Sequence, residues 1–214
     1  MTILCPDQRS EAWRQARCGR LTGSRAGDML ATLKSGGEAA SRRNLRVQLV
    51  LERLTNTPQE SDYVSADMQY GIDREADAFA AYEAETGLVV APCGFFAHDT
   101  VLAGGSPDGV ITDGHGILEL KCCKSATHLE FLKARTIPAA HLAQIQHNLW
   151  ITGAAWCDYV SFDDRFPAAL QLAIVRVEAT EREVTGYELA ARIFLREVER
   201  ELEAVQALGF SKVG

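Results

Sequence analysis

Pro107-Asp108 and, eleven residues later, Glu119-Leu120-Lys121 place two carboxylates and an amine in a stretch otherwise rich in glycine and branched apolar residues, GGSPDGVITDGHGILELKCC (104–123). Read as a strand, ILELKC would bury most of its side chains, and a buried charge is unfavourable unless paired or bound to a metal. Residues i and i+2 of a strand share a face. Glu119 and Lys121 therefore project together, while Leu118, Leu120 and Cys122 face the other way. DGHG between VIT and ILELK signals a hairpin, which can bring Asp108 near the strand that carries Glu119. Two close carboxylates repel, so one tends to stay protonated. A divalent cation relieves that repulsion, and hard oxygens suit Mg²⁺ or Mn²⁺. Such an ion acidifies a bound water and stabilises charge on a phosphate. Lys121, beside the carboxylates, can hold or polarise the attacking water. A Glu–Lys pair on the wet face of an amphipathic strand accounts for ExK in isolation. The Pro-Asp across a Gly-rich hairpin argues against that simpler reading.

The elements that must position these groups are legible as patterns. SEAWRQARCG reads as a short helix capped by Ser10 and ending near Gly19. LTGSRAGDMLATL reads as a second, capped by Thr22 or Ser24. A third runs from about Glu38 to Leu54. SADMQYGIDREADAFAAYEAETG is the clearest helix, with Met68, Ile72, Ala76 and Phe79 at the helical period and Gly87 as its stop. Glu75 lies one step from that apolar face. LVVAPCGFFAHD and the 101–123 stretch read as strands with Gly-rich turns. ATHLEFLKAR is a short helix, and AAHLAQIQHNLWITG is an amphipathic one between Pro138 and Gly153. WCDYVSFD and LQLAIVRVE are strand candidates. A long closing helix follows, capped by Thr180, with Gly186 a weak point. The expected fold is α/β with the sheet in the middle of the chain. One domain is expected: a helical N-terminal part (1–60), a core carrying the chemistry (61–165), and a closing strand with a long helix (166–214).

Composition narrows the class. With 214 residues, 47% hydrophobic and 24% charged, the chain suits one folded domain. It has no apolar run near the roughly 20 residues of a membrane span. MTILCPDQRSEAW lacks a secretory pattern, so a cytoplasmic protein is expected. The six cysteines form no CxxC pair. Cys122, Cys123 and His128 group closely but lack a usual ligand spacing, so buried free thiols are expected. Tyr82 and Trp150 are expected in the core, and His141 and His147 are expected to be helix residues without ligand roles. A net charge of −7 lowers the expectation of a nucleic-acid binder unless its basic contacts are local.

Pro107-Asp108 with Glu119-Leu120-Lys121 resembles the PD-(D/E)xK nuclease motif, and three further segments narrow the resemblance. GIDREADAFAAYEAETG (71–87) and AHLAQIQHNLWITG (140–153) are similar to the helices before and after this motif in phage lambda-type alkaline exonucleases, the YqaJ-type viral recombinases. EAWRQARCGRLTGSRAGDML (11–30) resembles that family's W-x-x-x-R-x-G-x-[IL]-T-x-S segment. The similarity covers residues of about 8 to 165. It implies a restriction-endonuclease-like core: a central mixed sheet flanked by helices, with helical ends. It implies a 5′-to-3′ exonuclease that degrades one strand of linear duplex DNA to mononucleotides and leaves 3′ overhangs for recombination. It implies two Mg²⁺ ions, with Mn²⁺ as a substitute. Asp108, Glu119, the Leu120 carbonyl and Glu75 would be the ligands. Lys121 would activate water, and Gln144 would reach that water or the scissile phosphate. Gln146, about 200° further round the helix, would face away. Arg17 and Ser24 match positions used around the DNA 5′ end, where a guanidinium binds two phosphate oxygens at once. Ser106, Arg42, Arg46 and Lys124 are further candidate phosphate contacts. A homotrimeric ring around DNA, a single-strand annealing partner and a phage or prophage origin are implied as well. The chain departs from the pattern at Cys122-Cys123-Lys124, where many relatives carry a proline, and at Thr127, where a basic residue is expected. A structure-specific or restriction-type DNA endonuclease and a non-catalytic DNA-end-binding recombination protein remain as alternatives.

Overall fold

The computed structural model describes residues 2–5, 7–59, 65–112 and 115–210. Its first part comprises strand β1 (Thr2–Cys5), helix α1 (Glu11–Arg17), strand β2 (Leu21–Thr22), helix α2 (Ala26–Leu30) and helices α3 (Ala40–Thr55) and α4 (Ala66–Thr86). Five strands follow: β3 (Val90–Ala91), β4 (Phe95–Ala97), β5 (Ala103–Gly105), β6 (Gly109–Ile111) and β7 (Gly116–Cys122). Then come α5 (Ser125–Ala134), α6 (Ala139–Thr152), β8 (Trp156–Phe162), β9 (Leu172–Glu178) and α7 (Glu181–Phe210).

The main sheet has the order β3-β6-β7-β8-β9. β7 and β8 are parallel, joined through α5 and α6, and the other pairs are antiparallel. Alternation along β7 sorts its side chains to two faces. Leu118, Leu120 and Cys122 pack with Ala78, Phe79 and Tyr82 of α4. Ile117 packs on the opposite face with Ile145 and Leu149 of α6 and Phe131 of α5. The sheet is thus a middle layer between α4 and the α5–α6 pair, which is the expected mixed α/β core.

A smaller sheet, β1-β4-β5-β2, joins the helical N-terminal part to this core. Leu45 and Leu49 of α3, Trp150 and Ile151 of α6, and Phe194 and Val198 of α7 share one cluster with Leu21 and Phe96. α6 is therefore covered on both sides, by the main sheet and by the helical layer. Complete burial of a side chain such as Phe194 (0% exposed) stabilises by about 1.5–3 kcal/mol.

Helix ends follow the sequence signals in several places. Ser10 accepts a hydrogen bond from the Trp13 N–H, and Ser65 accepts one from the Met68 N–H. Gly87 and Gly153 end their helices at φ 71° and 66°. Thr180 accepts from the Glu183 N–H. The segment after Arg20 differs from expectation: Leu21–Thr22 is a strand beside β5, Gly23–Arg25 is a 3₁₀ turn, and only then does α2 begin. Neither Thr22 nor Ser24 caps α2, whose preceding residue is Arg25. Parallel pairing of Leu21 with Ala103 outweighs the local helix pattern. On α4 the buried residues are Ala78 and Tyr82, whereas Met68 and Ala76 are exposed. Gly186 does not interrupt α7, because burial of Tyr187, Ala191 and Phe194 holds the helix through it. The hairpin glycine Gly114 and Asp113 lie outside the described residues, but the β6–β7 pairing either side of them is antiparallel.

Candidate active site

The β6–β7 ladder creates the centre of the site. Gly109 pairs with Leu118, and the Asp108 N–H donates to the Leu118 carbonyl at 3.0 Å. This places Asp108 Oδ2 2.6 Å from the Leu120 N–H, which donates to it. Glu119 is completely buried on the α6 side of β7. Lys121, on the same face, donates to Glu119 Oε1, and Asn148 Nδ2 of α6 donates to Oε2 at 3.3 Å. Burial pushes the Glu119 carboxyl up to about 7; Lys121 opposes this and the Asp108 charge reinforces it. Burial likewise raises Asp108, against the Lys121 charge and the Leu120 hydrogen bond. Burial alone would lower the Lys121 ammonium, but Glu119 and Asp108 hold it above its ordinary range. Two carboxylates thus share one lysine in a poorly solvated place.

Asp108 and Lys121 border a cleft of about 480 Å³ that Arg9, Glu75, Leu120 and His141 also line, while Glu119 is buried behind Lys121, off its wall. Glu75 reaches it from α4 and accepts a 2.5 Å contact from Arg9. Among the described residues, no group of three or more His, Cys, Asp or Glu is gathered as a ready metal cage. The donors nonetheless suit a hard divalent cation: Asp108 and Glu119 are neighbouring carboxylates that burial makes reluctant to ionise, and Leu120, whose N–H meets Asp108, lines the cleft. Glu75 lies on the cleft wall as a further carboxylate whose present partner is Arg9.

A second cluster adjoins the first. Trp13 donates its indole N–H to Ser106 Oγ at 2.9 Å. The Arg17 guanidinium carbon stands 4.1 Å from the Trp13 ring centroid. Arg17 Nη2 donates to Ser24 Oγ at 3.3 Å. Ser106 and Asp108 flank Pro107 on the same strand connection, so the two clusters share one segment. Asn148 also links them: its Oδ1 is a buried acceptor without a partner, and a Cβ at Gly23 or Gly105 would come within 2.8 or 2.5 Å of it. Gln144, one helical turn before Asn148, sits beside Gly23 as well. Arg14, Arg20 and Arg25 border the same end of the chain together with Arg17, a local basic patch on an acidic protein.

Asn148 and Arg9 escaped sequence reading. Asn148 shares the Gln144 face of α6 by its spacing of four, and a polar residue in the otherwise buried run HNLW was the signal. His141 lines the cleft, with Nδ1 2.9 Å from Tyr159 Oη. Arg9 reaches the cleft from a turn, and nothing in its neighbours announces it. His147 is completely buried, with its ring nitrogens 2.8 Å from Tyr187 Oη and 2.9 Å from the Gly104 carbonyl. Burial holds its pKa down to about 4, so it ties α6 to β5 and α7 as a neutral ring.

Other candidates stand elsewhere. Arg42 contacts Glu38 at 3.0 Å and Glu197 at 2.7 Å, and Arg46 contacts Glu38 and Glu201. Both side chains are under 20% exposed, so they tie α3 to α7 instead of facing a phosphate. The acidic face of α7, invisible in the local sequence SRRNLR, is the reason. Lys124 is exposed at the cleft rim and pairs with Asp67 at 2.7 Å. His128 is buried between Ser161 and the Leu170 carbonyl, and the six cysteines are free thiols. Tyr82 and Trp150 are in the core.

Residues 12–155 match the YqaJ-like viral recombinase domain. An alkaline exonuclease from Laribacter hongkongensis (LHK-Exo) shares 35% identity, with 96% of this chain and all of that chain covered at a TM-score of 0.85. The same enzyme in complex with dAMP superposes equally well. A phage-related exonuclease from Haemophilus somnus 129PT shares the fold at 13% identity and a TM-score of 0.69, over 87% of this chain and 96% of that one. No curated protein sequence matches the chain. With the PD…ExK site in place on this scaffold, the chain belongs to the YqaJ-like viral recombinase family, as a relative of the lambda-type alkaline exonucleases.

Proposed function

We propose that this protein is a divalent-cation-dependent exonuclease that degrades one strand of linear duplex DNA from its 5′ end, releasing mononucleotides and leaving a 3′ overhang. The observation that carries the reading is the junction of the two clusters: Trp13 holds Ser106 and Arg17, Arg17 holds Ser24, and Ser106 stands two residues before Asp108, which meets β7 at Leu120 beside Glu119 and Lys121. A guanidinium with two hydroxyls suits a terminal 5′-phosphate. Holding that phosphate sets which linkage reaches the carboxylates, and so gives polarity.

Asp108, Glu119 and the Leu120 carbonyl would hold the Mg²⁺, with Glu75 at a second ion; Mn²⁺ would substitute. When bound, such ions supply an acidified water and neutralise charge on the phosphate. Lys121 orients the attacking water from beside Glu119. Asn148 fixes the Glu119 carboxylate in its rotamer. Gln144, on the same helix face, reaches toward the phosphate. The acidic net charge is compatible with a homotrimeric ring that stays on DNA topologically, with a single-strand annealing protein taking the overhang. No described helix is long and apolar enough to cross a membrane.

The deciding experiment uses linear duplex with a 5′-phosphate, the same duplex with a 5′-hydroxyl, nicked circles and closed circles, each with Mg²⁺ or EDTA. Mg²⁺-dependent loss of the phosphorylated strand, with closed circles intact, is the expected result. Arg17→Ala should erase the preference for the 5′-phosphate while leaving the cation requirement. Cutting of closed circles would make the protein an endonuclease, and no cleavage by folded protein would leave a DNA-end binder.

A further inference from the structure

Arg9 occupies a place its sequence does not explain. Its φ is 66°, the left-handed region that glycine adopts freely and a β-carbon disfavours. A strained non-glycine residue at the edge of a functional cleft is an observation that invites a functional account. The turn that carries it is firmly held. Gln8 donates to the carbonyls of Cys93 at 2.9 Å and Pro107 at 2.8 Å, and Ser10 donates to the Asp7 carbonyl at 2.8 Å. The Pro107 contact ties this turn directly to the residue before Asp108. From there the Arg9 guanidinium extends across the cleft wall to Glu75 at 2.5 Å, with its own side chain still 52% exposed. Its charge is also felt at Asp108.

We propose that Arg9 is a displaceable counter-ion: a divalent cation taken up at Glu75 releases the guanidinium, and the freed Arg9 binds a backbone phosphate of the strand in the cleft. The inference rests on the reading of Glu75 as a cation ligand. A divalent cation at Glu75 takes the carboxylate oxygen to which Arg9 Nη2 now donates, and it repels the guanidinium beside it, so cation and Arg9 compete for Glu75. Cation loading and DNA grip are thereby coupled through one side chain, and by linkage each strengthens the other. Arg9 is a substrate-binding residue in this scheme. Its half-exposed pair with Glu75 is weak enough to exchange.

The test compares wild type with Arg9→Gly, which suits φ 66°, and Arg9→Asn, another residue that tolerates this conformation. Calorimetric titration with Ca²⁺ alone should show roughly two- to fivefold tighter binding in both variants, because the competing cation is gone. Anisotropy of a 5′-phosphorylated fluorescent duplex should show weaker binding by the variants in Ca²⁺ and no difference from wild type in EDTA. Unchanged Ca²⁺ affinity in the Arg9 variants overturns the proposal, as does an equal loss of DNA affinity with and without Ca²⁺. Glu75→Gln separates the two levels. If it leaves Ca²⁺ affinity unchanged, Glu75 is not a ligand and both readings fall. If it weakens Ca²⁺ binding while the Arg9 variants stay at the wild-type value, the Arg9 proposal falls alone.

Discussion

Glu119→Gln should stabilise the cation-free protein while abolishing its nuclease activity, and the gain should depend on pH in a defined way. Glu119 is completely buried, and its carboxyl is raised from the ordinary 4.5 to about 7, chiefly by burial. Between those values the unfolded chain has released its proton and the folded chain still holds it, so stability falls as pH rises. At about 1.4 kcal/mol per pH unit, the full effect is about 3 kcal/mol, complete near pH 7 and constant above it. For a chain of this size that corresponds to roughly 6–12 °C in Tm. Asp108, also raised, adds an effect of the same sign. His141 and His147 work the other way, since burial lowers both to about 4 and their contribution grows as pH rises toward 6.5. The wild-type profile alone therefore mixes opposing slopes, and the diagnostic quantity is the difference between variant and wild type. Thermal melts in EDTA at half-unit steps from pH 4.5 to 8.5 measure it. The gap should open between pH 4.5 and 7 and then level off, and Mg²⁺ at pH 8 should close it by stabilising wild type only. A gap that does not change with pH would refute the assignment of Glu119 as a buried carboxyl strained by its own charge.

Asn148→Ala should lower kcat about 10- to 100-fold, as expected for a residue that orients a ligand, and should cost about 1–3 kcal/mol in urea denaturation, because it leaves the buried Glu119 Oε2 without its donor. Arg42→Ala and Arg46→Ala should each cost about 1 kcal/mol in urea denaturation and leave the salt slope of DNA binding unchanged; loss of a phosphate contact would reduce that slope by about 0.9. Gly104→Ala should be destabilised by about 1–3 kcal/mol or more, because its Cβ would stand 2.2 Å from Phe95 Cζ and 2.6 Å from the Phe96 carbonyl oxygen, as a thermal melt would show.

Much of this protein was legible before any coordinates. The period-2 pattern of ILELKC sorted Glu119 and Lys121 to one face, and the hairpin signal at DGHG predicted that Asp108 would return to them. Both follow from local geometry, which a strand imposes whatever surrounds it. The helix caps Ser10, Gly87 and Gly153 were readable for the same reason. Failures came where distant partners decide. LTGSRAG has a helical look, yet Leu21 and Thr22 pair with β5, some eighty residues away. Arg42 and Arg46 have the spacing of a phosphate-binding face, yet Glu197 and Glu201 claim them across 155 positions.

The sequence by itself determined the chemistry of the centre: two carboxylates and a lysine on a β-hairpin, with a helix on each side. Only the tertiary structure decided what surrounds them. It buried Glu119 completely, set Asn148 against it, joined the Trp13 cluster to the Pro107-Asp108 segment, and delivered Arg9 to Glu75 from a turn anchored on Pro107. Periodicity follows from backbone geometry over a few residues. Desolvation and pairing depend on which segments the folded core brings within a few ångströms, and no local pattern carries that information.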